Sequence, residues 1–141
     1  MPEDFLELGP KLVKVGINFL GLYPRGFHSS GGKSSFSHTL KDIGAAFHYL
    51  RRVEVQTQFN IIPSKIVLAG YSYGGGMALA YAALDPTVRH IISIAGNDHG
   101  EFAREMQRNE AFASNIRKWL RSTQFPNGPV KFDLDPNLQE L

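Results

Sequence analysis

Gly70-Tyr71-Ser72-Tyr73-Gly74 sets one serine between two glycines. The apolar run Ile66-Val67-Leu68-Ala69 before it suits a buried parallel strand, and the small-residue stretch from Gly75 to Leu84 after it suits a helix. In that context G-x-S-x-G reads as a nucleophile elbow, a sharp strand-to-helix turn that lifts the Ser72 hydroxyl above the carboxyl ends of the strands. A serine hydroxyl is a weak nucleophile, so acyl transfer also needs a base and donors for the developing oxyanion. The Tyr73 backbone N–H, at the start of the helix, is the expected donor, which makes Ser72 and Tyr73 the candidate catalytic residues. Crowding in such a turn asks for small residues at Gly70 and Gly74. The competing reading is a glycine-rich turn whose serine only caps the helix.

The elements that must position this turn follow from periodicity. Val13, Val15, Ile17 and Phe19 alternate with Lys14, Gly16 and Asn18, which predicts a strand. A glycine- and serine-rich loop runs from Gly21 through Arg25-Gly26 to Gly31-Gly32. Leu40, Ile43, Phe47 and Leu50 fall at steps of three and four, predicting a helix with Thr39 and Asp42 as its capping box. Asp85-Pro86 stops the helix after the pentapeptide, and Val88 to Ala95 predicts a second buried strand. Beyond Gly100 the pattern is helical: Phe102 and Met106 share one face, and Phe112, Ile116, Trp119 and Leu120 form another stripe. Strand, helix, strand, helix, strand argues for an α/β fold with a three-layer parallel sheet.

Composition narrows the function classes. The 141 residues are 43% hydrophobic and 20% charged with a net charge of +2, ordinary for one globular domain. Lys and Arg are not clustered, so no nucleic-acid partner is expected. There is no cysteine and no H-x-x-x-H pair, so neither a metal site nor a cofactor is expected. Met1-Pro2-Glu3-Asp4 lacks a signal-peptide pattern, and no apolar run approaches the roughly 20 residues of a membrane span. A soluble, cytoplasmic protein is the expectation.

Ile66 to Gly76, reading IVLAGYSYGGG, resembles the elbow of α/β-hydrolases, closest to the prolyl-oligopeptidase-like group with its G-x-S-Y-G-G form. Arg25-Gly26 and the glycine–serine loop are similar to the R-G-x-x-x-S-x-G segment of the same superfamily. The resemblance implies a single partial α/β-hydrolase domain over residues 1–141, with a core at 11–100, a helical cap-like segment at 101–123 and an irregular tail at 124–141. Its strands would match the fourth, fifth and sixth of the family sheet, whose third strand lies between the fourth and fifth. The implied activity is hydrolysis of a small ester or peptide substrate through Ser72.

In that family the acid and histidine follow the serine on downstream loops, and no such pair is evident here. Asp98 and His99, after the last strand, are the local candidates for acid and base, with a helix cap the competing role for Asp98. His28 lies in the glycine–serine loop; His38 and His48 flank or lie on a helix, and His90 opens a strand at the far end of the sheet. Arg25 suits a loop-fixing ion pair better than an anion site. Tyr71 and Tyr73 line a substrate pocket or pack on neighbouring loops. Two alternatives remain beside an active serine hydrolase: an inactive hydrolase fragment, and a small flavodoxin-like binding domain. Unpaired strand edges would favour self-association.

Overall fold

A computed structural model describes residues 7–122. Its elements in chain order are α1 (Leu8–Lys14), α2 (Phe36–Leu50), α3 (Val53–Phe59), a 3-10 turn (Pro63–Lys65), β1 (Val67–Tyr71), α4 (Tyr73–Leu84), β2 (His90–Ile94), α5 (His99–Arg108) and α6 (Glu110–Ser122). The two strands pair in parallel, with Val67 opposite His90 and Tyr71 opposite Ile94. The helix α4 is the crossover between them and packs on both. On its other side α4 meets α2.

The interior lies between these elements. Phe36, Ile43 and Phe47 of α2 meet Met77 of α4 and Val88, and Leu68, Tyr73, Tyr81 and Phe102 pack around them. Met77 is fully enclosed. The stripe that predicted α2 is therefore the face it buries. The helix starts three residues before the predicted cap. Ser35 adopts an extended backbone, and its Oγ accepts from the His38 N–H at 3.1 Å. Thr39 and Asp42 are not a capping box, because both have partners elsewhere: Thr39 bonds the Tyr73 hydroxyl and Asp42 holds Arg25.

The predicted strand at 13–19 does not form. Residues 8–14 are helical, the chain from Ile17 to Pro24 has no regular structure, and Val13, Val15, Ile17 and Phe19 are exposed. Alternation supplies a face, but a strand also needs a ladder neighbour for its N–H and C=O groups. Among the described residues no strand pairs with this segment.

Both remaining predicted strands are present but are not buried. Alternation along β1 points Leu68 and Gly70 inward and Val67, Ala69 and Tyr71 outward. In register with them, Ile92 also faces out, and Val67, Tyr71 and Ile92 are each about half exposed, at 49%, 48% and 50%. A single helix layer covers one face of a two-stranded sheet, and the other face has no cover among the described residues. The two-stranded parallel sheet with its helices is consistent with part of an α/β fold. The C-terminal helices α5 and α6 pack on one another, with Phe102 set edge-on to Phe112 at 5.7 Å. Ala113 and Met106 are buried, whereas Trp119 of the predicted stripe is 54% exposed. The tail at 124–141 lies outside the described residues.

Candidate active site

A single residue, Ser72, joins β1 to α4, and its backbone is at φ 51°, ψ −117°. That conformation is costly for a residue with a side chain, on the order of 1–3 kcal/mol, and persists only where neighbours hold it. The holding groups are visible. The Ser72 N–H donates to the Ile94 carbonyl at 2.9 Å, extending the β1–β2 ladder by one bond. Its carbonyl accepts from the Gly75 and Gly76 N–H groups at 3.0 and 3.2 Å, starting the helix. The Ser72 side chain makes no capping bond to α4. Capping is therefore not what this serine does.

Glycines make the turn possible, though not the pair first expected. A Cβ on Gly70 would overlap the Gly74 carbonyl and stand 2.6 Å from the Gly75 nitrogen. One on Gly75 would stand 2.8 Å from Ser93 Oγ and 2.9 Å from Gly96 Cα. One on Gly76 would overlap the Asn97 carbonyl and stand 2.5 Å from His99 Nε2. Gly74 is different, with open space where its Cβ would be. The expected crowding holds for Gly70 and fails for Gly74, because the first turn of α4 presents Gly75 and Gly76, not Gly74, to the β2–α5 turn.

Tyr73 opens α4, so its N–H sits at the positive end of the helix. Its side chain turns inward. The ring lies 5.3 Å from Phe27, 5.8 Å from Phe36 and 5.1 Å from His99, and its hydroxyl meets Thr39 Oγ1 at 2.9 Å. Burial pushes the Tyr73 phenol above its ordinary range, against the opposing pull of the Thr39 and Ser34 hydroxyls. Of the two readings for this tyrosine, packing on neighbouring loops is the one observed. Tyr71 ends β1 on the exposed face.

The downstream candidates have other work. Asp98 is the N-cap of α5, its Oδ1 accepting from the Glu101 N–H at 2.8 Å. His99 is buried and its Nε2 lies 3.0 Å from the Tyr73 carbonyl oxygen. A carbonyl only accepts, so Nε2 carries the proton. Burial lowers the His99 pKa, outweighing the Tyr73 carbonyl and the nearby Asp98 charge, both of which raise it. His28 stacks on Tyr23 at 4.2 Å, and His38 Nδ1 lies 3.1 Å from the Lys33 carbonyl. His48 is exposed on α2, and His90 begins β2, at the end of the sheet opposite Ser72. Arg25 fixes its loop to α2 through Asp42, with Nε to Oδ1 at 2.9 Å and its own backbone N–H to Oδ2 at 2.8 Å. A shallow groove lined by Leu22, Tyr23, Arg25, Asp42 and Ala46 adjoins that pair and does not include Ser72.

A family model described as alpha/beta hydrolase fold matches residues 4–134. The chain belongs to that family. No curated protein and no solved structure matches it. The alpha/beta hydrolase fold accounts for the parallel pair and the crossover helix, and membership of the family suggests a hydrolase. Periodicity could not reveal the contact between His99 and Tyr73, since the two are 26 residues apart. The signal that was present is local: three consecutive glycines, Gly74 to Gly76, mark a helix start that something must approach closely.

Proposed function

We propose that this member of the alpha/beta hydrolase family is a serine hydrolase that cleaves an ester or peptide bond in a small substrate. Ser72 is the nucleophile on a G-x-S-x-G elbow, and the Tyr73 N–H is one oxyanion donor. The observation that carries this reading is the backbone of Ser72, at φ 51° and ψ −117°, with no capping bond from its side chain. Strain of this kind is retained where a hydroxyl must be presented at a defined point. Attack by Oγ on the acyl carbon gives a tetrahedral oxyanion that the N-terminal amides of α4 would stabilise. A general base, which the described residues do not identify, would take the Oγ proton and pass it to the departing alcohol or amine as the intermediate collapses, and water would then hydrolyse the acyl-enzyme to the acid and free Ser72. The G-Y-S-Y-G-G run favours the prolyl-oligopeptidase-like branch. It also favours a three-layer parallel sheet in which β1 and β2 correspond to the fifth and sixth strands, with α5 and α6 as the cap-like segment.

A second reading is favoured by Asp98 and His99. Because the first caps α5 and the second donates to Tyr73, neither acts as acid or base in this arrangement, and the chain would carry the elbow without independent activity. A panel of p-nitrophenyl esters and peptide p-nitroanilides distinguishes the two. Turnover by the wild-type chain that is lost in Ser72→Ala supports the hydrolase. No turnover by a folded sample supports the second reading. Any association of copies through strand edges that have no neighbour among the described residues would appear in the same samples as a concentration-dependent elution volume. Among the described residues no helix is long and apolar enough to cross a membrane.

A further inference from the structure

His99 is buried, lies at the end of the β2–α5 turn, and touches the first turn of α4 in three ways. Its Nε2–H donates to the Tyr73 carbonyl at 3.0 Å. Its ring centroid lies 5.1 Å from the Tyr73 ring and 5.0 Å from that of Phe36. Its edge also rests against the Cα of Gly76, so closely that a Cβ there would fall 2.5 Å from Nε2 and 2.7 Å from Cδ2. Gly76 is thus the slot through which the imidazole reaches the carbonyl.

The Tyr73 carbonyl shares its peptide unit with the Gly74 N–H, next to the Tyr73 N–H proposed as oxyanion donor, while the Gly75 and Gly76 N–H groups are held by the Ser72 carbonyl. A hydrogen bond to that carbonyl fixes the tilt of the peptide plane and, through it, the direction of the neighbouring N–H groups. The bond is enclosed, since His99 is only 7% exposed. Water is poorly placed to replace it, so losing the donor removes a buried hydrogen bond to this carbonyl. A bond made only for stability would not need to end on the first residue of α4.

We infer that His99 is a positioning residue for the Ser72 turn, orienting the N-terminal amides of α4 through its Nε2–H bond to the Tyr73 carbonyl. This rests on the reading of Ser72 as nucleophile. It assigns His99 a role distinct from general base. The base must accept a proton from Ser72, whereas here Nε2 already carries one and donates it to a carbonyl.

The test uses the full chain and a fluorophosphonate probe, with labelling rate constants measured across pH for wild type, His99→Phe, His99→Gln and Ser72→Ala. His99→Phe keeps a ring in the slot and removes the donor. Its labelling should slow by about tenfold or more, as expected when a catalytic group is slightly misplaced. His99→Gln, which can restore an N–H donor, should recover part of that loss. Wild-type labelling by a folded His99→Phe would overturn the inference. Should the variants fail to fold, long-range 1H–15N spectra of the wild-type chain decide. A neutral imidazole protonated on Nε2, with a slowly exchanging proton, is expected, and protonation on Nδ1 would overturn the inference. If the wild-type chain is not labelled, the nucleophile reading itself falls and the positioning role falls with it. That result differs from one in which wild type and His99→Phe label equally.

Discussion

The two faces of the small sheet are built by opposite rules. On the inner face, at Gly70, Gly75, Gly76 and Gly96, there is no room for a single added carbon. On the outer face, Val67, Tyr71 and Ile92 stand half exposed. Backbones approach one another this closely where β1, α4 and the β2–α5 turn converge on Ser72, as they also do where Gly26 meets Ser34. The difference shows what the inner face is for. It holds one residue in a conformation that the chain would not adopt unaided.

The comparison can be broken most sharply by substituting the inner glycines. Gly70→Ala and Gly76→Ala each place a Cβ inside backbone atoms, and each should cost about 3 kcal/mol or more, read as a lowered urea midpoint or loss of soluble protein. Gly74→Ala, next to the crowded Gly75 and two residues from Gly76, meets nothing within 4 Å and should be neutral or stabilising by up to about 1 kcal/mol. Equal losses at all three would show that the packing contrast is not real.

Asp98→Ala tests the inner face from another side. Loss of the α5 cap should cost about 1 kcal/mol in a urea titration while leaving Ser72 labelling within about twofold of wild type. A collapse in labelling with the fold intact would instead make Asp98 the catalytic acid.

On the outer face, Ile92→Thr should change stability by no more than about 0.5 kcal/mol, because the side chain is half exposed and unpacked. Any self-association seen by size exclusion should weaken in this variant. A loss of several kcal/mol would mean that the outer face is covered after all.

The far end of α4 supplies a pH-dependent contrast. Asp85 is held at a pKa of about 2, below the ordinary 3.8, chiefly by the Thr87 hydroxyl, with help from the Thr87 N–H, Tyr81 and Arg51 against a desolvation that raises it. A carboxylate depressed in the folded state stabilises above its unfolded pKa. Its contribution then fades as pH falls from about 4 toward 2. The drop in urea midpoint over that window should be smaller in Asp85→Asn than in wild type. An identical drop in both would remove Asp85 from the account.

The sequence made the Ser72 turn legible because its signal is local. A strand run, a serine flanked by glycines and a small-residue helix are all contiguous, and the structure places β1, Ser72 and α4 in that order. The apolar stripe of α2 was equally readable, since burial of Ile43 and Phe47 is what the spacing encodes. Long-range partnerships were not legible. Alternation at Val13 to Phe19 could not say whether a neighbour would pair with it. Thr39 and Asp42 looked like caps until Tyr73 and Arg25, at distant positions, claimed them. The helix α3 was missed because Val53–Phe59 is short and its clearest mark is the left-handed Asn60 that ends it. Gly74 to Gly76 marked a close approach to the helix start, but nothing in the sequence named His99 as the residue that makes it, since only folding brings the Tyr73 carbonyl near.

The central claim is that Ser72 is held out of ordinary backbone geometry so that its hydroxyl can attack an acyl centre. Its most direct test is intact-protein and peptide mass spectrometry after exposure of the folded, full-length chain to a fluorophosphonate. A single adduct is expected, on the peptide containing Ser72, and it should be absent in Ser72→Ala. An unmodified chain, or an adduct elsewhere that persists in Ser72→Ala, would contradict the claim.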